Sequence, residues 1–225
     1  MQTKFGAIIV DGSGKTNGHV ATKNRNGNAL RTKIKPSNKR SVDQMHQRAN
    51  FAAIAGKWNS LTVEQVMAWN AAAENAFYSN AFGDKKKYTG RALFQKINLN
   101  ILLGEGPMIT TPPPSEPVPG AEITVEQYHA NDVKIHWDHS TPLPGITVVV
   151  VSATPILRNG QTFLKGKYRV VALTNYSDGE CDITTAYPAK FGPLAIGNRF
   201  SVQLKIINVM TGDCSIPTSA ICEII

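Results

Sequence analysis

Acidic residues are scarce in the first half of this chain. Up to Thr110 there are 6 Asp/Glu against 16 Lys/Arg; beyond it there are 10 against 8, so formal charges of +10 and −2 make up the +8 of the whole. Long apolar runs are missing as well. The richest, residues 146–153, is strand-length and far short of the ~20 residues that span a bilayer, so no membrane partner is expected. Residues 1–5 lack the layout of a secretory leader. Cysteine is rare: Cys181, Cys214 and Cys222 are odd in number and have no CxxC spacing. The three read as reduced, buried, small hydrophobes of a protein made in a cytosol, with a metal site the disfavoured alternative because spacing and His partners are wrong. The five His are scattered, with no Ser-His-Asp order and no acidic pair in a defined setting. An enzyme is therefore not expected, nor a cofactor or metal.

What is present divides at a proline run, residues 112–119. The expected fold class is α+β and multidomain. It comprises a basic extended arm (1–40), a helical domain (41–106), a proline-rich linker (107–120) and an all-β, immunoglobulin-like sandwich (121–225). Each Pro fixes φ and removes an amide donor, so the linker is expected to hold two modules apart.

In the arm, residues 5–10 read as a short strand running into Asp11-Gly12-Ser13-Gly14-Lys15-Thr16. A phosphate-binding loop needs Gly where Ile9 stands and a helix directly afterwards; residues 17–28 are instead rich in Gly and Asn. Two strands, 18–24 and 29–35, joined by an Asn26-Gly27 turn, fit better. The cations Lys15, Lys23, Arg25, Arg31, Lys33 and Lys35 are the candidate partner contacts, and odd-numbered residues within each run share a face. Such a ribbon has too little apolar surface for a core of its own. It should add to a partner's sheet edge or lie on an acidic protein surface. Nucleic acid is the less favoured partner, because Phe5 is the arm's lone aromatic.

Apolar spacing predicts a helix over 41–58 with a stripe of Val42, Met45, Ala49, Ala52, Ala53 and Gly56. Thr62 and Gln65 form a capping-box pattern for a second helix, its stripe being Val66, Trp69, Ala73 and Phe77. Residues 82–88 read as a charged turn, in which Lys85, Lys86 and Lys87 are a solvated loop or an anion contact. Thr89 caps a third helix carrying Leu93, Phe94, Ile97, Ile101 and Leu102, ended by Gly104 and Gly106.

The runs Gly14-Lys15, Gly18-His19-Val20-Ala21, Asn24-Arg25-Asn26-Gly27, Leu30-Arg31-Thr32 and Pro36 resemble the opening of a family of small bacteriophage and prophage proteins. So do Gln47-Arg48, Trp58, Leu61-Thr62, Gln65, Ala68-Trp69-Asn70-Ala71-Ala72, Thr89-Gly90 and Leu93-Phe94. The resemblance covers most of the chain and implies a phage context; it implies no particular site residues.

After the linker, seven strand-length runs alternate with turns: 123–128, 132–137, 146–153, 168–173, 181–185, 199–208 and 220–225. Seven strands in this length match an immunoglobulin-like sandwich, and Trp137 resembles the core Trp of fibronectin type III domains. A barrel is the alternative. His129, His136, His139, Asp132 and Asp138 read as surface polar groups around a core strand. The expectation is a virion structural protein, made in the host cytoplasm: a capsid decoration or minor head protein bound to the major capsid protein or other virion subunits, with a homo-oligomer as a further option. A tail, neck or head-fibre component is the alternative, and a nucleic-acid-binding accessory protein the alternative of another class.

Overall fold

The computed structural model describes residues 13–24, 27–35, 37–79, 83–115, 117–124, 132–138, 140, 143 and 145–225. The expected strand 5–10, Arg25, Asn26, His129 and His139 lie outside the described residues, as do 125–128 of the first expected strand of the β-domain. The chain forms two compact units, Met1–Met45 and His46–Ile225. The fold is α+β, and every strand pairing is antiparallel.

The first unit is a meander of β1 (Gly14–Thr16), β2 (His19–Asn24) and β3 (Gly27–Thr32), in that order. Gly14-Lys15-Thr16, the end of the segment that resembles a phosphate loop, is thus a strand, and it adds a third member to the expected pair. Asn17, at φ 45°, and Gly18 make the tight turn between β1 and β2.

The second unit opens within α1 (Val42–Asn59) and continues through α2 (Val63–Ala73), β4 (Phe77–Ser79), β5 (Lys85–Lys87) and α3 (Gly90–Leu103). Both expected caps are made. Thr62 Oγ1 accepts from Gln65 N at 3.3 Å while Gln65 Oε1 accepts from Thr62 N at 3.0 Å, and Thr89 Oγ1 accepts from Ala92 N at 3.2 Å. Ile54, Trp69, Ala73, Leu93 and Phe94 form a small core. In it the Trp69 ring meets Phe94 edge-on at 5.2 Å and Trp58 lies 5.3 Å from Phe94.

Two expected stripes need correction. α1 buries Ile54 and half-buries Trp58, whereas Val42, Met45, Ala49, Ala52, Ala53 and Gly56 are exposed, Val42 to 84%. One large side chain on the facing side outweighs several small ones, because buried area scales with side-chain size. α2 ends at Ala73, so Phe77 leaves the helical stripe for β4 and is 52% exposed.

The remaining strands are β6 (Ile123–Thr124), β7 (Lys134–Trp137), β8 (Thr147–Ala153), β9 (Arg169–Asn175), β10 (Glu180–Asp182), β11 (Arg199–Asn208) and β12 (Thr218–Glu223). They build a sheet of order β10-β7-β6 and another of order β12-β11-β8-β9. Val133, Ile135, Trp137, Cys181 and Ile183 from the first sheet and its flanks share one core with Val149, Val151, Phe200, Val202, Leu204 and Cys222 from the second. Strand alternation accounts for this, since each sheet turns every second residue inward. A short helix not expected from the sequence, α4 (Ala186–Phe191), connects β10 to β11 and adds Tyr187 to this core. Its buried Tyr187 donates to Thr154 O at 3.0 Å, and its ring lies 4.8 Å from that of Phe200.

The proline segment does not act as a spacer. Trp69 Nε1 donates to Thr110 O at 2.8 Å, and the buried Asn98 brackets Ile109, accepting from its N–H at 2.8 Å and donating to its carbonyl at 3.3 Å. α3 also reaches the β-strands: Asn100 Nδ2 donates to Gly212 O at 2.9 Å, and Lys205 Nζ donates to Asn100 Oδ1 at 3.1 Å. Helices, proline segment and the two larger sheets therefore belong to one unit. The expected modules 41–106 and 121–225 are packed together rather than held apart.

Candidate interaction surfaces

The sheet of the first unit has little to hold it together. Val20, at 9% exposure, is its sole buried apolar side chain among the described residues, and the buried Asn28 Oδ1 has no hydrogen-bond partner. Strand register decides where its cations point. Lys15 pairs with Val20 and Val20 pairs with Arg31, so these three share one face; Lys23 pairs with Asn28 and lies on the other. Odd-numbered residues do share a face within each strand. Across β2 and β3, however, odd-numbered residues pair with even-numbered ones, so Lys23 and Arg31 lie on opposite faces. Lys33 N donates to Gly18 O at 2.8 Å and prolongs the pairing beyond β3, while Lys35 follows in exposed irregular chain.

Lys85, Lys86 and Lys87 are exposed, but as a strand rather than a loop. They pair with Ser79, Tyr78 and Phe77 respectively. Lys87 Nζ stands 5.9 Å over the Phe77 ring, Lys96 Nζ stands 5.1 Å over Tyr88, and the Tyr78 and Tyr88 rings are 4.9 Å apart. The ribbon is a cationic and aromatic patch whose aromatic half was hidden by assigning Phe77 to a helix.

The polar groups around β7 are occupied by local structure. His136 Nδ1 lies 3.6 Å from Glu180 Oε2, and Asp138 Oδ1 accepts from Ser140 N at 2.9 Å. The Asp182 carboxyl is held below its ordinary range by the hydroxyl and N–H of Thr184. Among the described residues no group of three or more His, Cys, Asp or Glu converges to hold a metal ion. The three cysteines are free thiols, with Cys181 and Cys222 buried and Cys214 half-buried. Burial, then the charges of Asp182 and Asp178, pushes the Cys181 thiol up to about 11. Among the described residues no helix is long and apolar enough to cross a membrane.

Sequence reasoning missed one surface. The connection from β8 to β9 lines a cleft of about 470 Å³ with Arg158, Lys167 and Arg169. The signal was available, since no Asp or Glu occurs between Asp138 and Asp178, but it was averaged away in a half-chain whose net charge is negative. No protein-family model matches the chain, and no curated protein is similar to it.

Proposed function

We propose that the protein is a structural component of a bacteriophage particle, a capsid decoration or minor head protein whose basic arm attaches it to the major shell subunit. A tail, neck or head-fibre position is compatible with the same mode of attachment. The reading rests on one observation: a cationic three-stranded sheet with, among the described residues, a single buried apolar side chain and an orphan buried acceptor. Such a sheet is stabilised by pairing with a neighbour, where backbone hydrogen bonds supply affinity and charge supplies steering. Repetition on a symmetric shell would multiply a weak single contact. Strands β6 to β12, split three and four with β7 beside β10 and β8 beside β11, support an immunoglobulin-like sandwich of the fibronectin type III kind. In this reading the protein acts by stoichiometric binding rather than catalysis.

The test is copy number. Particles assembled with Lys15, Arg31, Lys33 and Lys35 replaced by Glu should lose the protein while the purified variant keeps its second unit folded. Normal stoichiometry to the shell subunit in such particles would remove the arm as anchor. A nucleic-acid-binding role is the second reading, favoured by the lysines of β5 set against Phe77, Tyr78 and Tyr88.

A further inference from the structure

The β8–β9 connection concentrates charge in a module that is otherwise acidic. Of the eight Lys/Arg beyond Thr110, Arg158, Lys165, Lys167 and Arg169 lie in this connection or at its exit. Lys190 reaches it from α4, its Nζ donating to Val170 O at 2.5 Å. Among the described residues no carboxylate pairs with Arg158, Lys165, Lys167 or Arg169.

The loop is built rather than loose. Two turns, Gln161 N to Arg158 O and Lys167 N to Leu164 O, both at 3.0 Å, are made possible by Gly160 and Gly166 at φ 74° and 80°. Leu157 N donates to Arg199 O, and the Tyr168 hydroxyl meets Ser201 Oγ at 3.0 Å, tying both ends to β11. Arg169 Nη1 donates to Gly166 O and Tyr168 O at 3.0 and 2.8 Å, which fixes its guanidinium at the rim. Ile156 and Phe191 give the cleft an apolar lining, and Phe163, 71% exposed, stands in the loop between the cleft residues Gln161 and Gly166.

We propose that this loop is a binding site for the phosphodiester backbone of a single nucleic-acid strand, independent of the arm and of the β4–β5 ribbon. Planar guanidinium forks suit phosphate oxygens, and several cations lining one cleft suit charges that recur along a polymer. The exposed Phe163 ring of the same loop offers a base a stacking face, which neither an acidic peptide nor a sulfated glycan would use in the same way. The site stands whether or not the particle role does, because it uses none of the anchor residues.

The experiment is fluorescence anisotropy of the full chain with a labelled oligothymidine of about 20 nucleotides, longer than the ~4–16 a small β-module covers, over a salt series. Replacing Arg158, Lys167 and Arg169 with Ser should weaken binding by about tenfold or more and flatten the log–log salt slope by about 2. Phe163→Ser should weaken it several-fold, while Ser at Lys15 and Arg31, or at Lys85, Lys86 and Lys87, should leave the loop's contribution in place. Should the triple variant fail to melt like the parent, Arg158→Gln alone is the substitute, with a smaller loss expected in the same direction. Unchanged binding by a folded loop variant overturns the proposal. So does loss confined to the arm or ribbon variants, or equal competition by polyglutamate, heparin or duplex DNA.

Discussion

The indole N–H of Trp69 and the carbonyl of Thr110 are joined at 2.8 Å, which ties α2 to the first residues of the proline segment. Trp69→Phe keeps most of the buried ring and deletes the donor. It should lower unfolding free energy by about 1–2 kcal/mol in chemical denaturation and speed proteolytic cleavage around residues 105–120. Unchanged cleavage would mean that the segment is held by its other contacts, with Asn98 first among them.

Gly212 and Gly160 both sit at positive φ, 70° and 74°, in different surroundings. A Cβ at Gly212 would fall 2.7 Å from Ile97 O and Ile97 Cγ2, whereas at Gly160 it meets nothing within 4 Å. Gly160→Ala should cost about 1 kcal/mol from backbone strain alone. Gly212→Ala should cost at least about 2 kcal/mol more, because α3 must withdraw from the β11–β12 turn. Equal melting temperatures for the two variants would contradict that contact.

The two sides of α1 make opposite predictions. Ile54→Ala should destabilise by about 2–4 kcal/mol, the range for truncating a buried aliphatic side chain. Met45→Gln, on the exposed side, should stay within about 0.5 kcal/mol of the parent. Thermal melts of the two purified variants decide it.

Alkali should weaken the fold in two stages. The Cys181 thiol rises from its ordinary value to about 11, and the Tyr187 phenol to about 12, each mainly through burial. In both, the unfolded chain gives up its proton first, so stability falls as pH rises, from about 9 to 11 for the thiol and 10 to 12 for the phenol. Cys181→Ala should remove the earlier stage in melts taken between about pH 8 and 12. At neutral pH, iodoacetamide should modify the half-buried Cys214 before Cys181 or Cys222, read by mass spectrometry.

Local signals made the elements legible. Thr62 with Gln65 and Thr89 announced two helices, and alternation such as Val133, Ile135 and Trp137 announced strands, since both depend on residues a few positions apart. Facing partners were not legible. Nothing near Ala49 or Ala52 says that Ile54 will be turned inward, because that choice belongs to the Trp69 and Phe94 rings it meets. Docking of the proline segment was hidden for a related reason: Thr110 contributes a backbone carbonyl, which every residue has. The basic cleft escaped because a half-chain sum hides charges drawn together by one loop and a distant lysine. Two of the meander's strands, β2 and β3, were visible, but β1 and the register were not, and register sets which cations are neighbours.

That register limits the shape of any acidic partner. A flat plate of carboxylates laid against the meander would meet Lys15 and Arg31 while Lys23 pointed away from it. A slot with negative charge on both walls could reach all three.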